Sequence, residues 1–489
     1  MIRKITHWKL ALISLFVLFV IFLGLFFKNA HAASHQPHLS ETSHTIVING
    51  KTISYKATVG IMPIYTTDSG HALEATMSYI AYTATGETNR PVTFVWCGGP
   101  GQSSLSENFY LSGPKIFNPK TKVLDNNPQT WLRYTDLVYI DMVNTGWGRP
   151  ASKEFKKEIF SPTGDASTFT QFIENYLAQN NRINSRIYFV GESYGGIRAP
   201  LVANNLLKDA IAIKGMILIS PELNDYYNHP AIFGSDTPYI LSLPTFIRAA
   251  LYHHKLSSDF QNNPDKTIQD GTHWALTNYP ALLLKGDDLN QSEKNELETN
   301  LKNYIGLSAG LIRDNHYRIS SDFFYKNILN NTNKKIDYLD TRAEDYVVPF
   351  HDQFFVMSIE SLMKSQLALY PVAMDYIKNA LKFSSKMHYI NYQYPDGWQS
   401  DPQYKQVLSV LRSDMIIDNK MKLFVGLGYY DADIPYMVNV VAMNQLLLPV
   451  SIRKNIVVHC YDGGHMFYLD NVTIQKQFNS EVEKLYSEK

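Results

Sequence analysis

Residues 186–196 read Arg186-Ile187-Tyr188-Phe189-Val190-Gly191-Glu192-Ser193-Tyr194-Gly195-Gly196. Five residues of mostly apolar, strand-forming character run directly into a turn with glycine on both sides of Glu192-Ser193-Tyr194. A helix-like stretch, Ala199–Leu207, follows. Gly191, Ser193 and Gly195 satisfy G-x-S-x-G. In such a strand-to-helix turn the glycines remove Cβ clashes, so the serine hydroxyl stands clear of the sheet edge. The three-residue pattern is common; the apolar strand before it and the helix after it give it meaning.

The same alternation extends outward in both directions. Val92–Trp96 and Asp136–Ile140 are short apolar runs, the first ending in Gly98-Gly99-Pro100-Gly101 and the second at Asp141. Phe169, Phe172, Ile173, Tyr176 and Leu177 recur at helical spacing. Lys214–Ser220, Met421–Leu427 and Asn455–His459 are further buried runs. Thr45–Asn49 and Lys51–Tyr55 flank Gly50 as a hairpin would. Continuous apolar strands alternating with helices imply a mostly parallel sheet flanked by helices, an α/β fold. The pattern breaks over 226–360, where the chain turns helical and aromatic. The expected order is a first core part over 45–225, a helical insertion over 226–360 and a second core part over 361–489.

The N-terminus carries a different signal. Arg3, Lys4 and Lys9 precede an apolar run, Leu10–Phe27, and then Ala30-His31-Ala32. A basic start, an apolar stretch and a small-x-small site describe a secretory signal, expected over 1–32 with cleavage after Ala32. Left uncleaved, the run would act as a membrane anchor. Residues 33–44 are polar and read as a linker. Export and a secreted or periplasmic location follow from this reading. The chain has 489 residues, 45 basic and 45 acidic, so no net positive field points to nucleic acid. Cysteines number 2, Cys97 and Cys460, which excludes a disulfide framework but allows one bridge. His253 and His254 lack the H-E-x-x-H pattern, and no cofactor or metal is implied.

A serine hydroxyl is a poor nucleophile until a base takes its proton, and the base needs a carboxylate to orient it. Of 15 histidines, His465 is best placed, in Asp462-Gly463-Gly464-His465-Met466 after a strand. Asp431, in Gly428-Tyr429-Tyr430-Asp431, lies nearest a strand end; by position alone Asp433 and Asp462 stay open as rivals. The glycine-rich loop at Gly98-Gly99 supplies one backbone N–H for an oxyanion, and Tyr194, after the nucleophile, supplies the other.

Taken together, W-C-G-G-P-G-Q-S-S at 96–104, D-L-V-Y-I-D-M-V-N-T-G at 136–146, G-E-S-Y-G-G at 191–196, G-Y-Y-D-A-D-I-P at 428–435 and G-G-H-M at 463–466 resemble the serine carboxypeptidase family (peptidase family S10), and its bacterial branch in particular. The resemblance implies the α/β-hydrolase fold with the insertion as a cap. It selects Asp431 as the acid, and assigns Gly99 and Tyr194 to the oxyanion. It also implies release of C-terminal residues from peptides, with Glu192, Gly98 and Cys97 at the pocket for the terminal carboxylate. Two positions depart from the pattern: Cys97 stands where the family has asparagine, and Leu111 where it has a second glutamate. On that basis most of the carboxylate clamp is expected to be missing. An esterase or acyltransferase on the same fold, or a silent membrane-tethered binding protein, are the alternatives. Oligomeric state is not implied.

Overall fold

The computed structural model describes residues 39–66, 72–223, 235–346, 360–399, 401 and 406–487. The signal and most of the linker expected at the N-terminus lie outside these residues.

Thirteen strands occur among the described residues, β1 Leu39–Ile48, β2 Lys51–Tyr65, β3 Leu73–Ala84, β4 Val92–Trp96, β5 Lys115–Asn118, β6 Val123–Asn126, β7 Asp136–Ile140, β8 Ile187–Glu192, β9 Gly215–Ile219, β10 Lys334–Ile336, β11 Glu344–Tyr346, β12 Lys422–Gly428 and β13 Ile456–Tyr461. Nine form one sheet in the order β1-β2-β3-β7-β4-β8-β9-β12-β13. From β7 to β13 every neighbour is parallel; β1, β2 and β3 add an antiparallel edge. β1 begins at Leu39, so residues 39–44 are strand, not linker. Their polar side chains suit an edge strand paired to β2 through Leu39↔Gly60 to Ile48↔Lys51. Asn49 and Gly50, both at positive φ, make the hairpin turn.

The longer helices are α1 Pro162–Gln179, α2 Gly195–Lys208, α3 Thr237–Tyr252, α4 Pro264–Leu283, α5 Gln291–Ile305, α6 Glu360–Asn379, α7 Val407–Ile417, α8 Tyr436–Asn444 and α9 Val472–Ser487. α1 starts where Ser161 accepts the Gly164 N–H, with Pro162 at its first turn. Its face Phe169, Phe172, Ile173 and Leu177 is fully buried. Each such side chain contributes roughly 1.5–3 kcal/mol through lost contact with water. Strand alternation separates two cores. Phe94, Trp96 and Phe189 pack with α1, α2, α7 and α8; Val95, Tyr188 and Val190 pack with α6 and α9. This is the parallel sheet covered on both faces that the apolar strands imply.

Between β9 and β12, α3, α4 and α5 build a third apolar cluster of their own, with Phe246, Trp274, Leu297, Phe324 and Ile336. The short β10–β11 hairpin closes it. Among the described residues no helix is long and apolar enough to cross a membrane.

Candidate active site

β4, β8, β12 and β13 all end on the same side of the sheet, because they run parallel. Loops at the carboxyl ends of such strands are where α/β sheets gather their chemistry. The loops here carry Cys97-Gly98-Gly99, Ser193, Asp431 and His465.

Ser193 follows Glu192, the last residue of β8, and has φ +57°, a conformation that side chains rarely adopt. Its N–H donates to Ile219 O (3.0 Å) and its carbonyl accepts from Gly196 N (2.8 Å) and Glu222 N (3.1 Å). The surrounding backbone therefore fixes the strained turn. α2 begins at Gly195, earlier than the Ala199 its periodicity suggests, so the turn feeds straight into the helix.

His465 Nδ1 lies 2.7 Å from Asp431 Oδ2, with both side chains buried. The other Asp431 oxygen accepts the N–H groups of Asp433 and Ile434, both at 2.9 Å. The Asp431 carboxylate is thus held in one orientation and in turn orients the imidazole through Nδ1, the arrangement that reserves Nε2 for proton transfer. Burial alone lowers the basicity of His465; the Asp431 charge and its hydrogen bond outweigh that and push it up. Asp462 is exposed and Asp433 only partly buried. Of the three candidate acids, Asp431 is the one joined to the imidazole.

The two loops are interlocked. A side chain at Gly428 would collide with the Gly464 carbonyl, so only glycine allows the β12 and β13 exits to touch. Tyr430 N donates to Gly463 O (2.9 Å) and His465 N to Leu339 O (2.6 Å), while Ser220 Oγ donates to His465 O (2.8 Å). The end of β9, through Ile219 and Ser220, thus holds both the serine turn and the histidine loop.

Gly98 packs against the serine turn so closely that an added Cβ would sit 2.7 Å from Tyr194 N. That brings the two segments expected to donate to an oxyanion together. Cys97 and Glu192 are buried beside them.

Leu111 offers no carboxyl at the position where the family has its second glutamate, but a different carboxyl, Glu107, lies beside Cys97 and Glu192. Donor atoms of Cys97, Glu107 and Glu192 lie within 4.8 Å of one another, all three buried. Glu107 opens the π-helix Glu107–Ser112, about one turn before Leu111, and Leu111 faces the apolar core. The signal was there in the sequence: an acidic residue within the apolar turn Leu105–Leu111, at a different offset from the one the family pattern suggests.

Burial pushes the Glu192 carboxyl up to about 7, opposed by His465 and the Tyr468 hydroxyl. Burial, with Glu192 alongside, raises Glu107 well above the ordinary carboxyl range, and burial raises the Cys97 thiol. Three such donors form the one group among the described residues spaced as metal ligands are. In their protonated forms these groups are donors, suited to an anion. Cys97 and Cys460 are both free thiols, so no bridge joins them.

This constellation has relatives. The sequence is 30% identical over 142 residues to a carboxypeptidase Y homolog of Arthroderma benhamiae, covering 28% of each chain. It is 33% identical over 123 residues to the pheromone-processing carboxypeptidase KEX1 of Candida tropicalis, covering 25% of this chain and 17% of that one. The matched stretches thus span less than a third of those relatives' length. In three dimensions the chain resembles Kex1(Δ)p, a prohormone-processing carboxypeptidase from Saccharomyces cerevisiae. The TM-score is 0.56 at 14% identity, over 88% of this chain and 91% of that one, which identifies the α/β-hydrolase fold. Residues 65–465 match the family model for serine carboxypeptidases, and the chain belongs to that family.

Proposed function

We propose that this protein is an exported serine carboxypeptidase that removes residues from the free C-terminus of peptides. The observation that carries the reading is the buried His465–Asp431 pair beside a strained serine turn. Ser193 Oγ attacks the last peptide carbonyl as His465 takes its proton. Asp431 stabilises the imidazolium, and the N–H groups of Gly99 and Tyr194 receive the oxyanion. The imidazolium then protonates the leaving amino acid; water, deprotonated by the same imidazole, attacks the acyl ester, and the proton returns to Ser193 Oγ as the acyl–oxygen bond breaks.

The buried cluster of Glu192, Glu107 and Cys97, next to Gly98, supports the C-terminal part of the reading. Protonated carboxyls donate to the substrate's carboxylate, as acids in an apolar site do. Esterase and acyltransferase chemistry would use the same serine without needing this cluster. Residues 226–360, which include the separate cluster of α3 to α5, are assigned as the cap. Export rests on the N-terminal pattern Arg3 to Ala32, and a peptide is the expected partner.

The test is product analysis. A blocked tripeptide with a free carboxyl terminus should lose its last residue with wild type and not with Ser193→Ala, by mass spectrometry. Intact peptide with wild type, alongside rapid turnover of a small ester, would assign the esterase alternative instead.

A further inference from the structure

An oxyanion hole assembled from two segments needs something to set its width. Gly99 lies on the β4 exit and Tyr194 on the β8 exit, and no covalent link fixes the gap between their N–H groups. Arg198 spans it. From the first turn of α2, its Nη1 donates to the Cys97 carbonyl (2.8 Å), immediately before Gly98-Gly99. Its Nε donates to Asp165 Oδ2 (2.7 Å) on α1, and the Tyr194 hydroxyl donates to the same oxygen (2.9 Å). The guanidinium also lies 4.1 Å from the Phe169 ring centroid and 5.1 Å from that of Tyr194. Arg198 and Asp165 are 1% and 0% exposed.

We infer that Arg198, anchored by Asp165, is a positioning residue that ties the glycine loop to the serine turn and so sets the spacing of the oxyanion donors. A buried ion pair is weak evidence for stability. This one leaves Arg198 Nη2 and Asp165 Oδ1 without partners, so the pair is not arranged to saturate its own hydrogen bonds. Its directed contacts go to the carbonyl of one oxyanion segment and, through Asp165, to the side chain of the other. The two backbones are already in contact at Gly98. A small slip of the loop therefore changes donor geometry directly, and such geometry decides how strongly charge is stabilised in the transition state. Lysine keeps the charge but lacks the rigid fork that reaches two fixed acceptors at once.

The inference rests on the proposed Ser193 chemistry, and the experiment separates the two. Active sites of full-length wild type and Arg198→Lys are titrated with a fluorophosphonate. Then kcat and KM are measured on an ester, with inhibition constants for a peptide aldehyde and for the free amino acid product. The expected result is a fall of about 10–100-fold in kcat per titrated site. Aldehyde affinity should fall in parallel, because its tetrahedral adduct occupies the hole, while product affinity stays within twofold. Unchanged kcat per titrated site, or equal losses for aldehyde and product, would overturn the tie. Wild type that fails to label would refute the hydrolase reading instead. Should Arg198→Lys not fold, Asp165→Asn keeps the shape of the anchor and is read by the same criteria.

Discussion

The carboxyls of Glu107 and Glu192 lie buried side by side, with the Cys97 thiol as the third donor within 4.8 Å. Glu192 comes from the end of β8 and Glu107 from a π-helix, so the sheet fixes one and a local helical turn delivers the other. Two buried carboxyls cannot both ionise cheaply, and a protonated pair is a donor set for a third carboxylate.

Glu107→Leu tests that role. Leucine keeps much of the volume but removes the donor. KM for a free-acid peptide should rise about 10-fold or more, the scale of one charge-assisted hydrogen bond. Turnover of a neutral ester should change by less than threefold. Equal losses on both substrates would mark Glu107 as a structural residue only.

Acidity should govern substrate affinity. Glu192 is pushed up to about 7, so it donates below that pH and repels a terminal carboxylate above it. KM for free-acid peptides should climb as pH passes from 6 to 8, and the climb should vanish in Glu192→Gln. Stability follows the same sign. A carboxyl with a raised folded-state pKa binds more protons folded than unfolded between 4.5 and about 7, so stability falls as pH rises through that window. Thermal melts at pH 5 and pH 7.5 read it directly.

Asp431→Asn should leave the fold intact and lower kcat by about 10³–10⁴-fold, because the amide no longer enforces the Nδ1–H tautomer. Circular dichroism checks the fold and steady-state kinetics the loss.

Gly428→Ala should be destabilising rather than merely inactivating. Its Cβ would collide with the Gly464 carbonyl, and overpacking of this kind costs about 1–3 kcal/mol. A lower denaturation midpoint at unchanged slope is the expected readout.

Much of this site was legible because it is local. The serine turn, the G-G-H loop and the glycine loop each sit directly after an apolar strand, and parallel pairing brings strand ends together without long-range guesswork. The distinction between Asp431, Asp433 and Asp462 was not local: it depends on which carboxylate the β13 exit reaches, which only the packed loops at Gly428 and Gly464 determine. Glu107 escaped for a related reason. The family pattern places a carboxyl at 111, whereas here the wall is completed from one helical turn earlier, an offset that depends on how the π-helix sits against Cys97. Residues 39–44 read as linker because an edge strand solvated along its length carries polar side chains, and composition alone does not separate the two. The tie from Arg198 to the Cys97 carbonyl has no signature in sequence, since a backbone oxygen is its acceptor.

The most direct test of carboxyl-terminal recognition compares one blocked dipeptide as the free acid and as the C-terminal amide at pH 5.5, for wild type and for Glu107→Leu with Glu192→Leu. Wild type should prefer the acid by about 100-fold or more in kcat/KM, the discrimination of a site whose buried donors would otherwise go unpaired. The double variant should lose most of that preference. Equal turnover of acid and amide by wild type would contradict carboxypeptidase specificity and leave Ser193 as the nucleophile of a different hydrolase.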